Sequence, residues 1–226
     1  KPKSQVAAIK VAGEHLLRLM NDALDLSKIE AGQFELDNQA FYLPALLQDV
    51  QSLLSPLAAN KDLRFELQIE RDVNHDYYGD AGRIRQILLN LGNNAIKFTG
   101  SGFVQIKAQR LWPKGIMLSV VDSGPGMNHE QQQKLFQRFV QADGLRTTQQ
   151  FGGSGLGLAI SKELALLMGG DIQLSSESGH GSVFSLNLPL QQMQRAAVAE
   201  QSSNNVQGES AIEPKQILLV EDDETI

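Results

Sequence analysis

Cysteine is absent from the 226-residue chain. Its absence excludes a disulfide-stapled scaffold, a thiol nucleophile and a zinc site built on cysteines. No apolar run reaches the roughly 18 residues that a membrane-spanning helix needs, and no charged-then-apolar leader opens the chain. The sequence therefore predicts a cytoplasmic chain and leaves open an inner-membrane anchor elsewhere in a longer parent protein.

An excess of basic residues is missing as well. The chain has 20 Lys and Arg against 26 Asp and Glu, for a formal net charge of -6. This balance argues against a nucleic-acid-binding protein, which normally carries clustered Lys and Arg. Apolar residues make up 42% and charged residues 20% of the chain, as in an ordinary globular protein. The length of the chain suits one large domain, or one domain and part of another.

Apolar positions near the start of the chain follow the spacing of a coiled-coil or bundle helix. Steps of 3, 4, 3, 4 and 3 join Val6, Ile9, Gly13, Leu16, Met20 and Ala23, and Gly32 supplies a stop. Because such a stripe must be covered, we predict that residues 1–32 are part of a helical hairpin whose partner helix lies before Lys1. The alternative is a helix that packs on its own domain.

Residues 33–190 are predicted to form one domain. Apolar periodicity predicts helices over Leu43–Ala59, Arg83–Phe98 and Leu156–Met168, and strands over Leu63–Glu70, Phe103–Arg110, Ile116–Asp122, Asp171–Ser176 and Val183–Leu188. This order predicts an α+β fold, a two-layer sandwich in which helices cover one face of a mixed sheet. Residues 191–214 read as a flexible linker. The apolar run at Gln216–Val220 predicts that residues 215–226 begin a further domain.

Glycine is concentrated in the second half of the chain, with eleven of the twenty glycines between Gly124 and Gly181. The segment Asp122–Gly126 follows a predicted strand directly. Its glycines let the backbone turn sharply and approach a flat ligand, and the carboxylate can accept a hydrogen bond from an exocyclic amine. A simple turn explains the segment equally well.

A second glycine cluster, Gly152–Leu158, opens a predicted helix. Unpaired N–H groups and the positive end of the helix dipole would favour a phosphate there. The cluster is not a P-loop, because no Gly-Lys-Ser/Thr follows, and it is not a dinucleotide fingerprint, because no strand immediately precedes it. Phosphate binding and a purely structural loop both stay open.

A third cluster lies on the predicted helix over Arg83–Phe98. Asn90 and Asn94 are four residues apart and share a helix face, and Lys97 flanks that face. Two amide oxygens beside an ammonium suit a magnesium-triphosphate, since Mg²⁺ takes few protein oxygens and fills its shell with phosphate and water. The alternative is a pair of exposed asparagines on a helix.

Together with Phe136-Gln137-Arg138-Phe139, the three clusters resemble, in order and spacing, the ATP-binding catalytic domain of sensor histidine kinases. These kinases belong to the gyrase, Hsp90, histidine-kinase and MutL ATPase group. The resemblance covers residues 34–190 and implies a Bergerat-type fold. Residues 24–32 resemble the end of the second dimerisation helix, and residues 215–223 the start of a receiver domain. The whole chain therefore resembles part of a hybrid sensor histidine kinase.

The resemblance implies ATP and Mg²⁺ as ligands and assigns roles to particular residues. Asn94 would be the magnesium ligand, Asn90 a supporting polar contact and Lys97 a phosphate contact, and these three form the catalytic set. Asp122 would bind the adenine amino group. The remaining ATP contacts implied are Gly124, Gly126 and Met127 beside the base, Phe136 and Phe139 as lid anchors, Gly153, Ser154, Gly155, Leu156, Gly157 and Leu158 around the phosphates, and Ser182 near the base-binding aspartate. For Arg138, Arg146, Thr147 and Thr148, phosphate contact and a solvated lid face stay open.

The phosphoacceptor motif of these kinases, a histidine followed by an acidic residue and Arg-Thr-Pro, does not occur in the chain. His15, His75, His129 and His180 all have other neighbours. The resemblance therefore implies an acceptor helix upstream of Lys1 and a phosphorylatable receiver aspartate downstream of Ile226. The parent would be a homodimer, and a receiver domain or response regulator would be its partner.

The expected activity is transfer of the γ-phosphoryl group of ATP to the upstream histidine, for relay to a receiver aspartate. Hydrolysing relatives carry a glutamate base one turn before the magnesium asparagine, where this chain has Asn90. Because an amide cannot deprotonate water, this difference favours a kinase over a gyrase- or chaperone-like ATPase. A nucleotide-sensing module that regulates receiver dephosphorylation stays open as a second alternative.

Overall fold

Five α-helices, one short 3-10 helix at Arg71–Val73 and eight strands occupy the part of the chain that the computed structural model describes, residues 13, 16, 17, 20, 21, 23–111, 113–136 and 155–193. The helices are α1 at residues 23–30, α2 Leu43–Ala59, α3 Ala81–Phe98, α4 His129–Lys134 and α5 Gly157–Leu167. The strands are β1 Gln39–Tyr42, β2 Arg64–Ile69, β3 Asp76–Gly79, β4 Phe103–Arg110, β5 Ile116–Asp122, β6 Asp171–Ser176, β7 Ser182–Leu188 and β8 Gln191–Met193. Among these elements, no helix is both long enough and apolar enough to cross a membrane.

The larger sheet has five strands in the order β2-β4-β5-β7-β6. Strands β2 and β4 run parallel, whereas the other neighbouring pairs are antiparallel. Along β4, the buried Val104, Ile106 and Ala108 alternate with more exposed residues, so one face of the sheet points into the core. Helices α2, α3 and α5 supply the other half of that core. The predicted two-layer fold with a mixed sheet is confirmed.

A second sheet of three short strands, in the order β1-β3-β8, has no counterpart in the predicted elements. Its strands are only three or four residues long, too short to show a clear alternation of apolar and polar positions. Strand β8 pairs with β3 through Tyr78 and Gln191, so ordered structure continues to Met193. The prediction of a flexible linker over residues 191–214 is therefore wrong for residues 191–193, which form β8. Residues 194–226, with the predicted receiver strand, lie outside the described residues.

The last turn of α1 belongs to the core of the domain. Leu26 is only 8% exposed, and Ile29 and Phe34 pack against the same core. Asp25 forms an ion pair with Arg83 of α3, with 2.9 Å between Oδ2 and Nη1, and the Arg83 guanidinium lies 4.6 Å from the centre of the Phe34 ring. Earlier in the chain, Leu16, Leu17, Met20 and Leu24 are exposed. The C-terminal part of α1 thus packs on its own domain, whereas the apolar side chains that precede it are exposed.

This division along α1 predicts different effects for two neighbouring leucines. Leu26→Ala should lower the free energy of unfolding by about 2–4 kcal/mol, because it opens a cavity in the core. Leu24→Ala, at a side chain that is 55% exposed, should change it by no more than about 0.5 kcal/mol. Urea unfolding of both variants measures the difference, and equal effects would show that the end of α1 is not part of the folded unit.

Candidate functional site

Helix α3 presents one apolar and one polar face. Asp80 begins the helix by accepting hydrogen bonds from the N–H groups of Arg83 and Asp37, at 2.9 and 3.0 Å. The apolar face is buried against the sheet and α2. The polar face carries Arg83, Gln86, Asn90, Asn94 and Lys97, at steps of 3, 4, 4 and 3 residues. The three residues predicted on this helix therefore share its partly exposed face.

The amide of Asn90 contacts the beginning of α5. Its Nδ2 donates a hydrogen bond to Ser161 Oγ at 3.0 Å. Its Oδ1 faces Gly157, where a Cβ atom would lie 2.5 Å away. Only glycine fits at this position without moving the asparagine. The fold thus brings the predicted asparagine cluster and the predicted glycine cluster together, and Ser161 is a contact that the sequence did not predict.

Asp122 ends β5 and is 8% exposed. Its Oδ1 accepts a hydrogen bond from the Gly124 N–H at 2.8 Å, and the backbone N–H of Ser182 also bonds to this carboxyl group. Burial raises the pKa of Asp122, and the two backbone donors partly oppose that rise. The cross-strand pairing of Asp122 with Ser182 fixes the register that makes this arrangement. Ser182 therefore reaches the predicted base-binding aspartate through its backbone.

The two glycines after Asp122 are required for different reasons. A Cβ on Gly124 would lie 2.8 Å from the carboxylate of Asp122 and 3.3 Å from Thr99 Oγ1. Gly126 has a φ of +64°, and its Cβ would lie 1.9 Å from the carbonyl oxygen of Glu177. A Cβ at position 124 would therefore press on the Asp122 side chain, whereas Gly126 is required by the backbone of the turn itself.

Hydrogen bonds that involve two serine hydroxyl groups stabilise the turn after β5. Ser182 Oγ lies 3.0 Å from Ser176 Oγ, which accepts a hydrogen bond from the Met127 N–H at 2.9 Å. Gln132 of α4 donates to the carbonyl oxygens of Met127 and Ser176, both at 2.9 Å. Met127 and Phe136 pack against the core at either end of α4. The predicted residues Met127 and Ser182 are thereby linked to each other and to Asp122.

The end of α3 combines a cation with an exposed aromatic ring. Lys97 Nζ lies 4.8 Å from the centre of the Phe98 ring, and Phe98 is 46% exposed. Burial lowers the pKa of Lys97. Thr99 follows, fully buried, and its Oγ1 has no hydrogen-bond partner within the described part of the chain. The sequence predicted only Lys97 as part of the site at this end of the helix. Phe98, the aromatic residue directly after it, is a signal that could have indicated a further site residue there.

The glycine-rich region is described from Gly155 onward. Gly155 has a φ of +69°, Leu156 is buried and Leu158 packs against the core. Phe139, Gly153 and Ser154 lie outside the described residues. So do Arg138, Arg146, Thr147 and Thr148, for which phosphate contact was one of two readings of the sequence. The described half of the site thus comprises α3, the turn after β5 and the start of α5.

The side chains available for a metal ion at this site are amides. Within residues 23–111, 113–136 and 155–193 and the few described positions before them, no three His, Cys, Asp or Glu residues come together as a metal cluster. The partly exposed side chains of Asn90 and Asn94 lie one turn apart on α3. Such a sparse oxygen donor set suits Mg²⁺, which keeps water and phosphate oxygens in its shell.

A family profile described as "Histidine kinase-, DNA gyrase B-, and HSP90-like ATPase" matches residues 79–192. These residues include α3, the turn after β5 and α5. The chain belongs to this ATPase family. The predicted family and fold are thereby confirmed.

Named relatives of this ATPase-family chain are sensor kinases. It is 35% identical to the autoinducer 2 sensor kinase/phosphatase LuxQ of Vibrio parahaemolyticus, over 99% of the chain and 27% of that protein. It is 42% identical to the sensor protein GacS of Pseudomonas syringae, over 82% of the chain and 21% of that protein. The chain thus spans about a quarter of the length of these relatives.

A solved structure extends the comparison to three dimensions. The crystal structure of full-length ShkA in complex with AMPPNP superposes with a TM-score of 0.75 at 34% identity. The match covers 84% of this chain and 39% of ShkA. The family, the relatives and this fold together identify the described body as a catalytic domain of the sensor-histidine-kinase type.

The two glycines of the turn should respond differently to alanine. Gly126→Ala should lower the free energy of unfolding by about 3 kcal/mol, because its left-handed backbone and the Glu177 carbonyl both exclude a Cβ. Gly124→Ala should cost less, about 1–2 kcal/mol, since its backbone is not left-handed and the nearest atom belongs to a side chain rather than to the backbone. Urea denaturation of both variants tests this order, and a larger loss for Gly124→Ala would contradict it.

Proposed function

We propose that the chain is the ATP-binding catalytic portion of a hybrid sensor histidine kinase. It transfers the γ-phosphoryl group of Mg-ATP to a histidine on a dimerisation helix, from which the phosphoryl group passes to a receiver aspartate. The contact of Asn90 with Gly157 and Ser161 is the main structural support, because it brings the amide-bearing helix and the glycine-rich helix start to one place. ShkA, solved with AMPPNP, is a relative known in complex with an ATP analogue.

ATP would lie across the three parts of the site. The buried carboxylate of Asp122 is the acceptor for the adenine amino group, with Gly124 allowing close approach of the ring. Lys97 and the N-terminal end of α5 neutralise phosphate charge. Asn94, supported by Asn90, would hold Mg²⁺, which would supply further neutralisation of phosphate charge.

The residue pattern favours transfer to histidine over hydrolysis. A neutral imidazole is already a competent nucleophile, whereas water has to be oriented or deprotonated. The Asn90 amide cannot deprotonate water, and its Nδ2 donates a hydrogen bond to Ser161. A gyrase- or chaperone-like ATPase is therefore disfavoured. The printed name of LuxQ, a sensor kinase/phosphatase, supports regulation of receiver dephosphorylation as the second candidate function.

The partners of the domain follow from the same proposal. The acceptor histidine would lie on a dimerisation helix that packs on the exposed stripe Leu16, Leu17, Met20 and Leu24 in a homodimeric parent. The final partner would be a receiver domain, in the same parent or in a response regulator. The catalytic chemistry would take place in the cytoplasm, where ATP is available.

Asp122→Asn should weaken ATP binding by about 1–3 kcal/mol, the usual loss for a hydrogen bond to a charged group. GTP should bind poorly to both proteins, because guanine has a carbonyl where adenine has its amine. Since burial raises the pKa of Asp122, ATP affinity of the original chain should fall as acidification protonates the carboxylate. Titrations of ATP and GTP between neutral and acidic pH measure these effects. Equal affinity for the two nucleotides would rule out Asp122 as the adenine contact.

Asn94→Ala should separate magnesium-dependent binding from adenine recognition. ADP without metal should bind about as before, because Asp122 and Gly124 are unchanged. Phosphoryl transfer to a supplied acceptor helix should fall roughly 10²-fold, since charge neutralisation is a large contribution in such reactions. Isothermal titration with and without Mg²⁺, paired with a transfer assay, provides the measurement.

Asn93→Ala is the matched control, because Asn93 is the exposed neighbour of Asn94 on the same helix. It should leave both binding and transfer near the original values. Transfer by Asn94→Ala at the rate of the Asn93→Ala control would place the metal elsewhere and refute the assignment.

A further inference from the structure

The ammonium group of Lys61 lies at the C-terminal end of α3. Its Nζ donates hydrogen bonds to three backbone carbonyl oxygens, those of Ile96 at 2.7 Å, Lys97 at 2.8 Å and Thr99 at 3.1 Å. An ammonium group has three N–H donors, so all three are used. One side chain therefore holds both the last turn of α3 and the residue that follows it.

The turn between α2 and β2 places Lys61 in this position. After α2 ends at Ala59, the N–H of Lys61 and that of Leu63 both bond to the carbonyl oxygen of Ala58. Asp62 between them has a φ of +56°, the one left-handed non-glycine backbone in the described residues. Leu63 then enters the core. The backbone of Lys61 is thus fixed on both sides while its side chain extends to α3.

Helix α3 needs an external donor at this end. The last four carbonyl groups of an α-helix have no partner within the helix. A glycine in the left-handed region often supplies backbone N–H groups to them, but Thr99 is extended, with φ −81° and ψ 121°, and Gly100 is not left-handed. The Thr99 N–H satisfies only the carbonyl of Ala95. The Lys61 ammonium supplies donors to two of the remaining helix carbonyls, those of Ile96 and Lys97, and opposes the negative end of the helix dipole.

The residues held in this way line the candidate nucleotide site. Lys97 and Phe98 form the last turn of α3, and the buried Thr99 faces Gly124 in the turn after Asp122. Fraying of this turn would release Lys97 from the helix face that it shares with Asn90 and Asn94. We propose that Lys61, which lies outside the site, is a positioning residue that fixes Lys97 for phosphate binding. This inference rests on the proposed function.

The test is a double-mutant cycle on Mg-ATP affinity. Lys61→Met keeps a side chain of similar length and removes the donors, and it should raise the dissociation constant of Mg-ATP about 5- to 10-fold. If Lys61 acts through Lys97, the same substitution in a Lys97→Met background should raise that constant less than 2-fold. A role in stability alone would lower the urea midpoint yet leave affinity unchanged while the protein stays folded.

Asp49→Asn provides the matched control. Asp49 Oδ2 lies 2.8 Å from Arg85 Nη2, so it also joins α2 to α3, but far from Lys97. This variant should leave the dissociation constant within 2-fold of the original. If Lys61→Met proves unfolded by circular dichroism, Lys61→Gln, which retains two donors on a shorter side chain, takes its place with an expected rise of about 2- to 5-fold.

Each outcome of the cycle bears on the inference. An unchanged affinity in Lys61→Met, or an equal loss in both backgrounds, would overturn it while leaving ATP binding by the domain intact. Failure of the original chain to bind ATP would instead refute the proposed function, and no effect of Lys97→Met would refute the phosphate contact of Lys97 and this inference with it. A loss that appears only when Lys97 is present supports the positioning role.

Discussion

The close approach of α3 and α5 is the constraint on which the candidate site depends. The two helices meet where the Asn90 amide lies against Gly157, in a space too small for a Cβ. The buried face of α3 fixes the helix on the sheet, and Asn90 on its polar face meets the start of α5. Apolar packing thereby determines where the amides lie, and the glycine allows the second helix to reach them. Neither helix could form this arrangement alone.

The sheet provides the other half of the site through strand register. Pairing of Asp122 with Ser182 is the last step of a seven-residue antiparallel ladder between β5 and β7. Because a shift of one residue would turn the carboxyl group to the opposite face, the ladder sets the direction of Asp122 as firmly as it sets the core. The same alternation that buries Leu118 and Val120 therefore directs the aspartate inward.

The sequence alone predicted the long elements and the residues at their ends, because both depend on local patterns. Helices α2 and α3 and strands β4 and β5 have clear apolar periods, and Asn90, Asn94 and Asp122 follow from motif spacing. The short sheet of β1, β3 and β8 lacked such a period. Contacts between distant segments, such as Asn90 with Ser161, 71 residues apart, and Lys61 with the end of α3, leave no local signature. The Lys61 contacts in particular are made to backbone carbonyl groups, which every residue has, so no sequence motif could indicate them.

The ion pair between Asp25 and Arg83 connects α1 to the first turn of α3. Arg83 lies in the first turn of the helix and Asn94 eleven residues later, about 16 Å along the axis at 1.5 Å per residue. The helix has no proline and no break between them. It is therefore one continuous helix that contacts α1 near its first turn and carries Asn94 near its last turn. A tilt of α1 that carries Arg83 with it would be transmitted to the amides along a single element, without crossing a loop.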